Sequence, residues 1–156
     1  MYSRQYPDHF MFIQNSIRKY AGGARNAALD INLNTKYTIF LDSDDKFHDD
    51  KVLENLFNFI ESSESKPDII SCPYCINEAK KIYPEKTIDS IIKSMNFRPY
   101  AYVCKSSFDR VKFVENRPKG NDFVRCMKLL DDNDINIVSH VNFPVIDYNV
   151  KSITSC

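Results

Sequence analysis

Residues 36–45 have the sequence Lys-Tyr-Thr-Ile-Phe-Leu-Asp-Ser-Asp-Asp. The β-branched, aromatic and aliphatic residues of its first half predict a buried strand. The last four residues, hereafter the acidic turn, supply three carboxylates. A strand that ends in carboxylates places them at the carboxyl edge of a sheet, where open α/β sheets bind their ligands. The stretch therefore favours an α/β fold with a ligand site at the acidic turn.

The segments on either side alternate between strand and helix patterns. Further strands are predicted at residues 10–14, 68–76 and 135–141. Helices are predicted at residues 24–33, from Asp49 or Asp50 to about residue 66, from Thr87 onward, at residues 106–113 and at residues 121–132. Strands that alternate with helices predict one α/β domain over residues 1–156, with helices on both faces of its sheet.

Apolar spacing predicts the buried face of three of these helices, and a Ser-x-x-Asp pattern predicts how a fourth begins. Ser106, followed by Asp109, resembles a capping box for the short helix. The predicted buried faces consist of Ala24, Ala27, Ala28 and Ile31 in the first helix, Leu53, Leu56, Phe57 and Ile60 in the second, and Ile88, Ile91, Ile92 and Met95 in the third.

The overall charge of the chain is balanced. Lys and Arg number 21, Asp and Glu also number 21, and the formal net charge at pH 7 is zero. Non-specific nucleic-acid binding needs a basic face, so nucleic acid is not an expected partner. Mean hydropathy is −0.42, and no apolar run approaches the roughly 20 residues of a membrane span. The first residues contain no signal-peptide core, so we expect a cytoplasmic protein without a transmembrane segment.

The five cysteines are expected to be reduced thiols in that compartment. Cys72 and Cys75 form a Cys-x-x-Cys pattern, which could indicate a zinc or a redox site. A structural zinc site usually needs a second pair, which the chain does not have, and a redox pair would follow a strand and not lie within one. The favoured interpretation is two small side chains on a buried strand. His9, His48 and His140 lack metal-motif spacing and are expected at the surface or in loops.

The acidic turn allows several interpretations from its residues alone. A divalent metal site and a solvated turn before a helix are equally compatible with it. An EF-hand loop that began at Asp42 would need Gly at its sixth position and Glu at its twelfth, where the chain has Phe47 and Leu53, so this motif is excluded. A phosphatase of the haloacid-dehalogenase type also begins with a strand and Asp-x-Asp. That motif usually has Thr or Val where this chain has Lys46, so it is a minor alternative.

Four motifs in one order resemble glycosyltransferase family 2, whose domains have the GT-A fold. They are Gly22-Gly-Ala-Arg-Asn26 with its helix, Tyr37-Thr-Ile-Phe-Leu-Asp-Ser-Asp-Asp45, Gly120-Asn-Asp-Phe123 after the segment at residues 101–108, and Tyr148-Asn-Val-Lys-Ser-Ile-Thr154. The resemblance spans about residues 10–154, and the combination is more specific than any one motif. It implies a Rossmann-like mixed sheet with helices on both faces.

The resemblance also implies a function. Such a protein transfers a sugar, with inversion, from a nucleotide-diphospho-sugar to an acceptor hydroxyl on a glycan, a lipid-linked glycan or another molecule. Asp44 and Asp42 are the implied ligands of Mn²⁺ or Mg²⁺, with Asp45 in support. Gly23, Arg25 and Asp42 are implied to contact the donor. Asp122 is the implied catalytic base, although Asn121 stands where the family usually has Glu.

The family pattern has a strand, a helix and a second strand before the point where this chain's resemblance starts. By that comparison the domain is N-terminally truncated, so we expect an unpaired sheet edge and a homodimer or a complex with an N-terminal partner chain. The rival hypothesis is a non-catalytic remnant or binding module of the same fold. For Arg25 and Asp122, the competing interpretations are an arginine on a helix surface and an acidic residue in a helix's first turn.

Overall fold

The structure is a computed structural model, which describes residues 9–17, 19–31, 34–77, 80–82, 102–117 and 120–149. The helix predicted from Thr87 and the residues after 149 lie outside these ranges. The elements in chain order are α1 (Tyr20–Leu29), β1 (Tyr37–Ile39), β2 (Lys46–Phe47), α2 (Val52–Ser62), β3 (Ile69–Ser71), β4 (Tyr74–Ile76), β5 (Lys80–Ile82), β6 (Tyr102–Lys105), a 3₁₀ turn (Ser106–Phe108), α3 (Asn121–Leu130), β7 (Val138–His140) and β8 (Ile146–Tyr148).

The strands form two mixed sheets. The first has the order β1-β6-β3-β7, in which β6 is antiparallel to both of its neighbours and β3 is parallel to β7. The second has the order β2-β8-β4-β5, in which β8 is antiparallel to β2 and parallel to β4. Mixed sheets with helices confirm the predicted α/β class.

Helices cover both faces of the first sheet. On one face, Val52, Leu56 and Ile60 of α2 pack in a buried cluster with Ile70 and Val103. Successive residues of a strand point to opposite faces. Ile69, Tyr102 and Cys104 adjoin Ile70 and Val103 along the strands and therefore face the opposite side of the sheet. There they pack with Phe108 and with Leu129 of α3. This two-sided core confirms the predicted layering.

The segment predicted as one strand over residues 68–76 is two strands in different sheets. β3 ends at Ser71 and β4 begins at Tyr74. Pro73 lies between them and has no N–H to donate to a sheet, so it interrupts the ladder. Its carbonyl accepts a hydrogen bond from the Val145 N–H at 2.8 Å. Cys72 and Cys75 are buried, as the core interpretation predicts.

Helix α1 differs from its prediction in both limits and orientation. It begins at Tyr20 and ends at Leu29, so Gly22 and Gly23 lie inside it and not in a turn before it. A Cβ on Gly22 would lie 2.3 Å from the Val114 carbonyl oxygen. The glycine therefore permits a close approach of the helix to that segment. The predicted alanine face is wrong, because the buried residues are Gly22, Gly23, Asn26 and Leu29.

Three further predictions need correction. Leu53 and Phe57 of α2 are exposed, because the buried stripe runs through Val52, Leu56 and Ile60. The capping box at Ser106 is absent: the segment is a 3₁₀ turn, and Asp109 accepts a hydrogen bond from Thr38 Oγ1 at 2.9 Å. Residues 10–14 form no strand, and their apolar side chains are exposed.

The helix and the strand predicted after residue 120 are both present. The helix predicted at residues 121–132 is α3, and the strand predicted at residues 135–141 is the shorter β7. Gly120 precedes α3 with φ +73°, in the left-handed region that glycine adopts without strain. In the part of the chain that the structure describes, no helix has the length and apolar character to cross a bilayer.

Candidate active site

The acidic turn follows β1 after two residues, Phe40 and Leu41. The Asp45 N–H donates a hydrogen bond to the Asp42 carbonyl at 3.1 Å, which folds the four residues back on themselves. One carboxylate oxygen from each of Asp42, Asp44 and Asp45 lies within 4.8 Å of the others. Asp45 Oδ1 also accepts a hydrogen bond from the Asn149 N–H at 3.0 Å, which fixes the turn to the end of β8. The chain thus holds three carboxylates together at the edge of the sheet.

Arg25 of α1 joins the acidic turn to the start of α3. Its Nη1 donates to Asp122 Oδ1 at 2.7 Å, and its Nη2 donates to Asp42 Oδ1. Asp122 lies in the first turn of α3, 97 residues from Arg25 along the chain. The guanidinium is therefore shared by two carboxylates: Asp42, for which the family resemblance implies donor or metal binding, and Asp122, for which it implies base catalysis.

Burial and neighbouring charges shift the pKa values of Asp122 and Arg25. Burial raises the pKa of Asp122 above its ordinary value, and the nearby Asp42 adds to the rise, while the Arg25 charge works against it. Burial alone would lower the pKa of Arg25, but the charges of Asp122 and Asp42 outweigh it, so its pKa is raised. Arg25 is therefore a permanent cation beside a carboxylate that is easier to protonate than usual.

Two aromatic rings support the guanidinium. The Arg25 Cζ lies 5.3 Å from the Phe113 ring centroid and 6.0 Å from that of Phe40. The two rings meet edge to face, with centroids 5.1 Å apart. Cations are attracted to ring faces at such distances. Phe40 and Phe113 therefore position Arg25 between the carboxylates.

A second arginine, Arg125, lies close to the same two rings. Arg125 is fully buried, and its Cζ lies 4.9 Å from the Phe113 centroid and 5.9 Å from that of Phe40. It donates to the Val111 carbonyl at 2.8 Å and to the Tyr102 hydroxyl at 2.7 Å. A buried cation is tolerated only when its donors are satisfied, as they are here. Arg125 therefore packs behind the site in the protein interior and is not exposed at the site's surface.

The structure brings most of the predicted site residues together. Arg25, Asp42 and Asp122 line one small pocket. Asp45 lines that pocket and a neighbouring cavity of about 450 Å³, which Asp44 also lines. Gly23 lies apart from both, inside α1, where an added Cβ would meet the Lys19 side chain at 2.2 Å.

Sequence reasoning missed the residues that support the site. Phe40 could have been found, since it adjoins the acidic turn in the strand that predicts the fold. Phe113, Tyr102 and Arg125 carry no local signal, because only the tertiary fold brings them to Phe40. His140 was expected at the surface or in a loop, but it lies half-buried in β7.

Comparison with known proteins supports the fold and identifies the family. The sequence profile described as glycosyl transferase family 2 matches residues 2–117. Among solved structures, the crystal structure of S. aureus TarS 1-349 matches with a TM-score of 0.70 and 17% sequence identity. That match covers 95% of this chain and 46% of the TarS chain, so this chain spans under half of that length. No curated protein matches.

The two mixed sheets and their helices form an α/β fold of the GT-A type. The profile covers well over half of the chain, and the chain belongs to glycosyl transferase family 2. Asp42, Asp44, Asp45 and Arg25 lie inside the matched range, whereas Asp122 lies just beyond it.

Proposed function

We propose that this domain transfers a sugar from a nucleotide-diphospho-sugar to an acceptor hydroxyl, with inversion and with the help of a divalent metal ion. The observation that carries the proposal is the position of Arg25, which joins the acidic turn to Asp122. A donor site and a base for the acceptor must lie on opposite sides of one anomeric carbon. The shared guanidinium keeps the two groups of carboxylates at neighbouring positions suited to that arrangement.

The donor set of the acidic turn fits Mn²⁺ or Mg²⁺. Both are hard cations that prefer oxygen ligands, and three carboxylate oxygens lie within 4.8 Å of one another. Burial raises the pKa of Asp45, and the charges of Asp44 and Asp42 raise it further, so the ionised cluster is strained by its own repulsion. A divalent cation would relieve that repulsion. When bound, the metal ion would neutralise charge on the departing diphosphate.

Asp122 is the proposed catalytic base. In the reaction, its carboxylate takes the proton of the acceptor hydroxyl, and the acceptor oxygen forms a bond to the anomeric carbon. The bond between that carbon and the diphosphate oxygen breaks, and its electron pair leaves with the nucleoside diphosphate. Burial raises the pKa of Asp122, which makes its carboxylate a stronger proton acceptor than an exposed aspartate.

Arg25 is the proposed contact to the donor's charged groups. It stays protonated, because the neighbouring carboxylates raise its pKa. Its position between Asp42 and Asp122 allows it to compensate those carboxylates before the donor arrives, and to face the diphosphate afterwards. Guanidinium groups match phosphate oxygens in geometry as well as charge.

Calorimetric titration with UDP or GDP, with and without Mn²⁺, tests this proposal. We expect nucleotide binding that requires the metal in the wild-type chain and in the Asp50→Ala control, which removes an exposed carboxylate outside the acidic turn. Absence of any nucleotide binding would favour the non-catalytic remnant or binding module. Release of phosphate from model esters would favour the phosphatase alternative.

A further inference from the structure

The second sheet carries a cluster of side chains that the proposed transferase chemistry does not use. It consists of His48, Cys75 and Asp147, whose ligand atoms all lie within 4.8 Å of one another. The cluster is distinct in composition from the acidic turn, because it combines an imidazole, a thiol and a carboxylate.

The sheet itself brings these residues together. Asp147 of β8 lies directly opposite Cys75 of β4 and opposite Lys46 of β2. His48 lies in a bend just after β2, and its N–H donates to the Val145 carbonyl at 3.0 Å, which holds it beside the start of β8. Cys75 and Asp147 therefore project from paired strands, and His48 projects from the residue after β2, so that their ligand atoms meet at one point.

Burial distinguishes the cluster from a surface group of polar residues. Cys75 and Asp147 are buried, and the His48 side chain is 34% exposed. His48 Nδ1 and Asp147 Oδ1 are 2.7 Å apart. Two members of the cluster are thus held in the interior, while the third gives an ion access from solvent.

We propose that His48, Cys75 and Asp147 form a binding site for a transition-metal ion of the zinc class. Imidazole nitrogen, thiolate sulfur and carboxylate oxygen are its usual protein ligands, and three of them leave one coordination position open. A divalent ion would balance the thiolate and the carboxylate, so that the buried site would carry no net charge.

The distances fit such an ion after a small adjustment. Bonds of about 2.0–2.3 Å in a tetrahedral site place neighbouring ligand atoms roughly 3.3–3.8 Å apart. The separation of His48 Nδ1 and Asp147 Oδ1, now 2.7 Å, would need to widen by roughly 0.6 Å, which a partly exposed histidine can accommodate by a rotation of its side chain. Lys46 Nζ lies 3.9 Å from Asp147 Oδ2 and is largely exposed, so it can remain on the solvent side.

The acidic turn should not compete for this ion. It offers only carboxylate oxygens, which suit Mn²⁺ and Mg²⁺, whereas thiolate and imidazole select zinc and its neighbours. The site is independent of the proposed function, so either hypothesis can fail without the other.

Cobalt is the probe for the test, since Co²⁺ occupies zinc sites and gives an intense near-ultraviolet charge-transfer absorption only when a thiolate is a ligand. Titration of the metal-free, reduced chain with Co²⁺ should produce this band with one equivalent bound. Zn²⁺ should then remove the band, because it binds such sites more tightly than Co²⁺. Excess Mn²⁺ should leave it unchanged.

Matched variants assign the ligands. Cys75→Ser should abolish the band, while Cys126→Ser, which removes another buried thiol, should retain it. His48→Ala changes a partly exposed side chain and should weaken Co²⁺ binding by about tenfold or more, whereas His9→Ala should not. Circular dichroism checks that each variant is folded.

Asp44→Ala should retain the band, which separates this site from the acidic turn. Co²⁺ binding without the thiolate band, or a band that persists in a folded Cys75→Ser chain, would overturn the proposal.

Discussion

The side chain of Asn26 satisfies both backbone hydrogen-bonding groups of Phe113. Asn26 Nδ2 donates to the Phe113 carbonyl at 3.0 Å, and Asn26 Oδ1 accepts from the Phe113 N–H at 2.8 Å. Asn26 is buried beside Arg25, so this pair of bonds fixes the Phe113 ring relative to the guanidinium. The Ala-Arg-Asn motif therefore has two functions: its arginine reaches the site, and its asparagine positions what supports that arginine.

Replacement of this asparagine should destabilise the fold. In Asn26→Ala, the buried N–H and carbonyl of Phe113 lose their partners, and each unsatisfied group costs about 1–3 kcal/mol. We expect the free energy of unfolding in urea to fall by about 2–6 kcal/mol. The control Asn58→Ala changes an exposed residue of α2 and should stay within about 0.5 kcal/mol of wild type. Equal stabilities of the two variants would contradict the prediction.

Asp44→Ala should abolish Mn²⁺ binding to the acidic turn and leave the fold intact, because Asp44 is exposed in a turn and lies outside the core. Calorimetry measures the metal affinity, and circular dichroism measures the fold. Asp50→Ala is the matched control and should bind Mn²⁺ as wild type does. Undiminished affinity in Asp44→Ala would remove Asp44 from the metal site, and an unfolded variant would assign it a structural function.

Asp122→Asn should separate catalysis from donor binding. General-base assistance contributes about 10²–10⁴-fold in rate, so sugar transfer should fall by that factor while the donor Kd stays nearly constant. Asp131→Asn, at the exposed end of α3, is the control. If donor affinity falls as much as the rate does, Asp122 belongs to the nucleotide site. If no donor and acceptor give turnover with the wild-type chain, the non-catalytic hypothesis is favoured.

The charge of Arg25 should influence the pH at which kcat/KM rises on the acidic side of its pH profile. Asp122 must be ionised to accept a proton, so kcat/KM rises with pH through the pKa of Asp122. Burial raises that pKa, and the Arg25 charge opposes the rise. Arg25→Gln should therefore shift the acidic limb to higher pH, whereas Arg25→Lys, which keeps the charge, should shift it less. Identical limbs in the two variants would show that Arg25 does not act on Asp122 electrostatically.

An exposed apolar surface beside β1 should support self-association. Among the described strands, β1 is the outermost of the first sheet, and Leu53 and Phe57 line a cavity of about 270 Å³ next to it. Edge strands tend to pair with other chains. We expect a dimer at micromolar concentration in light scattering, which Phe57→Asp weakens and Asn58→Asp does not. A monodisperse wild-type monomer would contradict this expectation, and recovery of a dimer only with an added N-terminal chain would replace it.

The sequence predicts those parts of the fold that local patterns determine. β1, the acidic turn and α3 follow from short-range composition and spacing. The limits of α1 could not be predicted in this way, because Gly22, which suggests a turn, lies inside the helix and permits its close approach to Val114. The break at Pro73 had a visible signal, since proline is incompatible with the middle of a strand.

The candidate active site, like the fold, is only partly predictable from local sequence. The family motifs identify Arg25, Asp42 and Asp122 individually, but nothing local indicates that one guanidinium bonds both carboxylates. That pairing depends on how α1, β1 and α3 pack, which is a property of the whole chain. The same holds for Arg125, whose charge suggests the surface and whose hydrogen bonds place it in the core.

The step of two residues between β3 and β4 has a consequence for synthesis on the ribosome. Adjacent in sequence, these strands enter different sheets, and their parallel partners β7 and β8 lie at residues 138–140 and 146–148. Neither sheet can close until those late residues have left the exit tunnel. Until then, the nascent chain carries apolar strands without their final neighbours, a state that favours aggregation and engagement by chaperones.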